Sequence, residues 1–142
     1  MAELYHVGLT VKNLERSLAF YRDVAGMEQA GQVVELRSKE FDTLTNNSGA
    51  ALRVAHLTAG TFMLQLVEYA AAGGNVLELG HHHVGSPHLC FHVDDVAAKY
   101  RELQGRGDVR ITSGLVRITP ITQSFYAADP DGVPVEFLQM QR

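Results

Sequence analysis

The sequence contains one cysteine, no tryptophan and no long apolar run. The single cysteine, Cys90, cannot form an internal disulfide bond. No apolar run approaches the roughly 20 residues that a membrane-spanning helix needs. The N-terminal sequence MAELYHVGL also lacks the basic stretch and apolar core of a signal peptide. These absences favour a soluble, cytoplasmic protein without a membrane partner.

Basic clusters are also absent. The chain has 12 Lys and Arg against 16 Asp and Glu, which gives a formal net charge of -4. Because a surface that binds nucleic acid neutralises phosphates with clustered positive charge, the sequence predicts no nucleic-acid partner. With 142 residues, 46% of them hydrophobic, the chain can close one ordinary core. We therefore expect a single domain over residues 1–142.

The first half has the pattern of a strand, a helix and three further strands. LYHVGLTV alternates between apolar and polar residues, as a half-buried strand does. Asn13 stands at the N-cap position of the helical pattern LERSLAFYRDVAGM, which stops at Gly26. Three apolar stretches follow as predicted strands: EQAGQVVELRS, AALRVAHLTA and TFMLQLVEY. The polar segment KEFDTLTNNSG, between the first two of these stretches, is predicted to be a loop.

The second half repeats this order. PHLCFHV is a predicted strand, VAAKYRELQGRG a predicted helix, and DVRIT, ITQSFYAA and VPVEFLQM are predicted strands. The sequence therefore predicts an α+β fold of two βαβββ modules, about 1–72 and 84–142. The linker AAAGGNVLELGHHHVGS, rich in glycine, alanine and histidine, joins them. We interpret its run of three histidines as a solvated loop.

Four polar residues occupy equivalent places in the repeat. An offset of 82 residues lays His6 on His88, and matching the last strands of the modules lays Gln65 on Glu136. Glu136 stands among apolar residues, so its carboxylate needs either solvent at a strand end or a cation. If the two sheets face one another, the four side chains converge into a nitrogen and oxygen donor set. Such a set suits one divalent metal, Zn, Ni, Co, Mn or Fe, and leaves positions open for a substrate.

The segments LYHVGLTVKNLERSLAFYRDVAGM, SPHLCFHVDDVAAKYRELQGRG and FYAADPDGVPVEF together resemble the vicinal-oxygen-chelate superfamily. That superfamily includes glyoxalase I, methylmalonyl-CoA epimerase, extradiol dioxygenases and bleomycin-binding proteins. The resemblance implies two βαβββ modules that form a cup-shaped, half-open mixed sheet barrel, often completed by dimerisation, so a homodimer is expected. It also implies that the divalent metal binds at the positions of His6, Gln65, His88 and Glu136.

The reaction that such a metal supports best is isomerase or lyase chemistry on a small oxygenated molecule. A Lewis acid polarises a carbonyl and stabilises the metal-bound enediolate that forms when the neighbouring carbon loses a proton. Glu136 is the first candidate for the general base, and Glu35 or Glu68 could supply a second one. The predicted substrate-binding residues are Arg37, Met63, Cys90 and Tyr126.

Two other functions remain open. An extradiol-type dioxygenase would use His6, His88 and Glu136 as its iron ligands. However, the family's acid–base histidine before the Phe-Tyr pair is missing, because this window reads VRITPITQSFY. A non-catalytic protein that binds a drug or another small molecule is the second alternative. The absence of tryptophan counts against it, since no indole is available to stack on a planar ligand.

Overall fold

The computed structural model describes residues 1–141, which divide into two compact units, Met1–Leu77 and the part of the chain from Glu78 onward. Each unit contains one sheet, and the predicted α+β fold of two βαβββ modules is confirmed. The assignment of both modules to one domain stays a prediction. None of the helices in the described part of the chain has the length and hydropathy of a membrane-spanning helix.

The first unit is a four-stranded sheet. Its strands lie in the order β1-β4-β3-β2, with β1 parallel to β4 and the other pairs antiparallel. Their bounds are β1 (Val7–Val11), β2 (Glu28–Leu36), β3 (Ala51–Ala59) and β4 (Phe62–Ala71). The parallel neighbours β1 and β4 are the first and last strands of the module, so the chain brings its two ends side by side.

Helix α1 (Leu14–Ala19) crosses from β1 toward β2 and continues as a π-helical turn over Phe20–Val24. The Asn13 side chain caps it by accepting a hydrogen bond from the Arg16 N–H, as predicted for this position. A second anchor comes from β4, where Glu68 Oε2 accepts from the Leu14 N–H at 2.6 Å. Gly26 follows the helical turn with φ of 79°, in the left-handed region that glycine favours.

The prediction of a loop for KEFDTLTNNSG was wrong, because helix α2 (Lys39–Thr45) forms inside it. Ser38 is its N-cap and accepts from the Phe41 N–H at 3.2 Å. At the other end, the chain turns at Asn46 and the Asp42 carboxylate accepts from the N–H groups of Gly49 and Ala50. None of its residues is buried. The helix therefore has no apolar periodicity by which it could be predicted.

The second unit is a five-stranded sheet, in the order β5-β9-β8-β6 with β7 also paired to β8. Its elements are β5 (Leu89–His92), α3 (Val96–Arg106), β6 (Arg110–Ile111), β7 (Val116–Thr119), β8 (Thr122–Ala128) and β9 (Pro134–Met140). The predicted strand DVRIT is wrong in its length, since only two of its residues pair. After them, Ser113 Oγ accepts from the Tyr126 N–H at 2.8 Å, and pairing with β8 resumes at Val116.

Candidate functional site

The pairing of the parallel strands shows which positions of the two modules correspond. In the first unit Gly8 of β1 pairs with Gln65 of β4, and in the second Cys90 of β5 pairs with Glu136 of β9. His6 and His88 each precede the paired residue by two positions. Because strand side chains alternate, each histidine lies on the same face as the Gln or Glu of its own unit. Each unit thus offers one imidazole and one side-chain oxygen donor.

A further histidine, His56, joins this face of the first unit. It is the cross-strand partner of Gln65 on β3, and Gln65 Nε2 lies 3.2 Å from His56 Nε2. The ring centroids of His6 and His56 are 6.0 Å apart in an edge-to-face arrangement. Sequence reasoning missed His56. The available signal was its hairpin position, since His56 and Gln65 are equidistant from the turn at Gly60-Thr61 that joins β3 to β4.

The two histidines of the first unit, His6 and His56, are half-buried. Burial, and secondarily the neighbouring His6, lower the pKa of His56, which favours the neutral ring with a free acceptor nitrogen. His6 Nδ1 is buried and has no hydrogen-bond partner. A buried ring nitrogen without a partner is uncommon, because its desolvation is not repaid. These features leave His6 with an unused donor or acceptor position.

In the second unit, two hydroxyl groups hold the carboxylate of Glu136. Ser124 Oγ donates to Oε1 at 2.6 Å, and Tyr126 Oη donates to Oε2 at 3.1 Å. Ser124 is 4% exposed, and Glu136 is only half-buried. A charged side chain in an apolar strand is therefore stabilised by hydroxyl donors. Sequence reasoning found Tyr126 and missed Ser124.

The charge of Glu136 also acts on its neighbours. Burial and then the Glu136 carboxylate raise the pKa of Tyr126 to about 12 and that of Cys90 to about 11. Tyr126 therefore remains a protonated donor at neutral pH. Its ring also lies edge-on to two histidines, with centroids 4.6 Å from His81 and 6.0 Å from His88. The linker histidine His81 is exposed, as predicted, yet it contacts the site of the second unit.

The raised pKa of Cys90 gives a direct test of the charge on Glu136. Because the thiol is protonated below about pH 11, Cys90 should react slowly with iodoacetamide at pH 8. Glu136→Gln removes the negative neighbour, lowers the pKa and should speed alkylation by roughly threefold to tenfold at that pH. Rates measured from pH 7 to 11 check this, with the exposed Glu78→Gln as the control. A profile that is identical in wild type and Glu136→Gln would contradict the assignment.

The other predicted residues are more dispersed. Arg37 is exposed just after β2, whereas Met63 is half-buried on the same face of β4 as Gln65. Glu35 is exposed and opposite Arg53 in the pairing of β2 with β3. Glu68 is occupied by the Leu14 N–H and by Arg53 Nη1, which is 3.5 Å from its Oε1. Glu136 therefore has the better placement for a general base, and the substrate contacts stay predictions.

The imidazole, amide and carboxylate groups of the two units are of the chemical types that bind divalent metals. The described residues contain no group of three or more His, Cys, Asp or Glu side chains that is placed to hold an ion. Each unit instead has a His with an oxygen donor on one strand face. In the first unit the His6 Nδ1 atom has no hydrogen-bond partner, and Gln65 Oε1 lies 3.5 Å from the place that a Cβ at Gly8 would take. In chemical type, though not as an assembled cluster, the residues present fit a metal bound by nitrogen and oxygen.

Comparison with known proteins gives consistent results. Residues 3–137 match the family model described as the Glyoxalase/Bleomycin resistance protein/Dioxygenase superfamily. The chain is 31% identical to a 2-epi-5-epi-valiolone epimerase of Actinomyces sp., over 96% of this chain and 79% of that protein. It is also 31% identical to a lactoylglutathione lyase of Neisseria meningitidis, over 96% of this chain and 89% of that protein.

Solved structures share the fold. A glyoxalase family protein from Bacillus cereus superposes with a TM-score of 0.87 at 12% identity, covering 100% of this chain and 96% of that one. A fosfomycin resistance protein from Listeria monocytogenes, crystallised as a variant with Mn(II) and dihydroxypropylphosphonic acid, gives a TM-score of 0.65 at 18% identity. That alignment covers 96% of this chain and 91% of the resistance protein. At these identities the likeness concerns the fold.

Proposed function

The chain belongs to the glyoxalase/bleomycin resistance protein/dioxygenase superfamily, and we propose that within it the protein is a divalent-metal-dependent isomerase or lyase. The observation that carries the proposal is the oriented carboxylate of Glu136, which shares a strand face with His88 and is held by Ser124 and Tyr126. Relatives named as an epimerase and a lyase support this class of reaction. We expect a small oxygenated substrate.

The metal ligands in this proposal are His6, Gln65, His88 and Glu136. When bound, the ion would polarise a substrate carbonyl and acidify the neighbouring C–H group. The donor set supports this assignment, because imidazole, amide and carboxylate are ligands that Zn, Ni, Co, Mn and Fe(II) all accept. We further expect the protein to act in the cytoplasm and to form a homodimer. Light scattering during gel filtration measures the oligomeric state directly.

The role of Glu136 is to move the proton. Its carboxylate would take the proton from the carbon next to the carbonyl and return it to the adjacent carbon, which yields an isomer; an epimer requires a second acid that delivers a proton to the opposite face. The Ser124 hydroxyl keeps Oε1 in place during this exchange, because the two groups are hydrogen-bonded at 2.6 Å. Tyr126 does the same for Oε2, and its raised pKa prevents it from competing for the proton.

Elemental analysis of protein purified without a metal-affinity step tests the metal requirement. We expect about one Zn, Ni, Co, Mn or Fe per chain, removed by dialysis against a chelator and restored by addition of the ion. His83→Ala, a change in the exposed linker, is the matched control and should retain the metal. Iron as the native ion would favour oxygen chemistry. Protein that binds no divalent ion even after reconstitution would refute the proposal and leave a small-molecule-binding function.

A further inference from the structure

The two ends of the Gln65 side-chain amide face different strands. Its Nε2 lies 3.2 Å from His56 Nε2 on β3. Its Oε1 is the atom closest to the Cβ position of Gly8, which belongs to β1 on the other side of β4. The amide oxygen therefore points toward the strand that His6 precedes. This orientation matters because the oxygen of an amide can bind a cation, whereas its NH₂ group cannot.

His56 is the group that distinguishes these two ends. The amide Nε2 can only donate, so His56 Nε2 must accept the hydrogen bond. A flipped amide would place its oxygen against this acceptor nitrogen, and a hydrogen bond would then form only if His56 changed to its other tautomer. The His6 ring lies edge-on to the His56 ring, with ring centroids 6.0 Å apart. No other side-chain hydrogen bond of Gln65 is found among the described residues.

We propose that His56 is a positioning residue that accepts a hydrogen bond from Gln65 Nε2 and thereby keeps Gln65 Oε1 directed to β1 for metal binding. The inference rests on the proposed function, because an oriented oxygen is needed only if Gln65 is a ligand. His56 itself would make no bond to the ion. Its role would resemble that of outer partners at metal sites generally, whose loss weakens metal affinity by about tenfold to a hundredfold.

A double-mutant cycle separates positioning from direct ligation. His56→Leu should weaken Mn²⁺ binding about tenfold when residue 65 is glutamine. Glu at position 65 offers two equivalent oxygens and needs no orientation, so His56→Leu should have little effect in the Gln65→Glu background. His56→Gln, which retains an acceptor oxygen, should recover most of the affinity. Free Mn²⁺ measured by electron paramagnetic resonance during titration gives the dissociation constants, and circular dichroism confirms that each variant folds.

The amide resonances of Gln65 provide a readout without metal. In the metal-free protein, the ¹H–¹⁵N signals of the Gln65 NH₂ group should shift on His56→Leu, while those of Gln104 stay unchanged. Equal Mn²⁺ affinity in wild type and His56→Leu would overturn the inference. An equal loss of Mn²⁺ affinity on His56→Leu in the wild-type and Gln65→Glu backgrounds would also overturn it, because His56 would then be a ligand. Wild-type protein that binds no divalent ion would refute the proposed function, and the amide signals would still show whether His56 orients Gln65.

Discussion

Glu136→Gln should lower turnover by about a hundredfold to ten-thousandfold, the range expected when a positioned general base is lost. Glutamine has the same shape but cannot take up a proton. Its oxygen can still accept from Ser124, and the Tyr126 hydroxyl can rotate to accept from the new NH₂ group. The fold should therefore persist, and metal binding should weaken only modestly. Loss of turnover with retained structure would then report on proton transfer.

Solvent deuterium exchange measures this step even where net turnover is slow. Small molecules that carry a C–H group next to a carbonyl are incubated with metal-loaded protein in D₂O. Deuterium at the carbon next to the carbonyl, read by mass spectrometry, should appear with wild type and be nearly absent with Glu136→Gln. The control Glu102→Gln alters an exposed carboxylate of α3 and should leave exchange unchanged. Undiminished exchange in Glu136→Gln would transfer the role of base to Glu35 or Glu68.

Tyr126→Phe should have a smaller effect than the loss of the base. It removes one of the two hydroxyl donors, and a hydrogen bond to a charged group contributes about 1.5–3 kcal/mol. Because Glu136 is only half-buried, water can replace part of this contribution, and we expect about a tenfold loss in rate. The exchange rates of the two variants, measured in the same assay, distinguish the group that transfers the proton from a group that orients the Glu136 carboxylate.

The strand pattern and the internal repeat were enough to predict which residues occupy equivalent positions. Alternation places His6 on the same face as Gly8, and the parallel pairing of first and last strands then brings that face beside Gln65. The same steps hold for His88 and Glu136. Equivalent positions can be predicted because side chains along a strand alternate with a fixed period of two. An internal repeat then identifies the matching residues without any knowledge of side-chain contacts.

The partners of these residues could not be predicted in the same way. His56 lies on β3 beside β4, and Ser124 lies on β8 beside β9, so that their contacts depend on hairpin register. A one-residue shift in register would have turned either side chain to the other face. Helix α2 escaped prediction for a different reason. It is stabilised by local caps at Ser38 and Asp42 instead of by a buried apolar face.

His88→Ala should abolish tight metal binding, the second large effect that we expect. An alanine removes a nitrogen donor outright. Neither neighbour on the strands can replace it well, because Tyr126 remains protonated and the Cys90 thiol, with a pKa of about 11, is a poor ligand at neutral pH. The loss of one ligand from a four-donor site should therefore exceed the hundredfold effect of losing an outer partner.

The measurement is competition for Zn²⁺ with a coloured chelator at pH 7, followed by elemental analysis of the dialysed protein. His88 is exposed, so its replacement should leave the fold intact and isolate the effect on the metal. His83→Ala, also an exposed histidine, is the matched control and should bind as wild type does. Equal zinc content in wild type and His88→Ala would show that the ion binds elsewhere. Loss of zinc in His88→Ala but not in His83→Ala would support His88 as a ligand. A modest loss of the same zinc in Glu136→Gln, together with the loss of proton transfer, would place His88 and Glu136 at one metal centre.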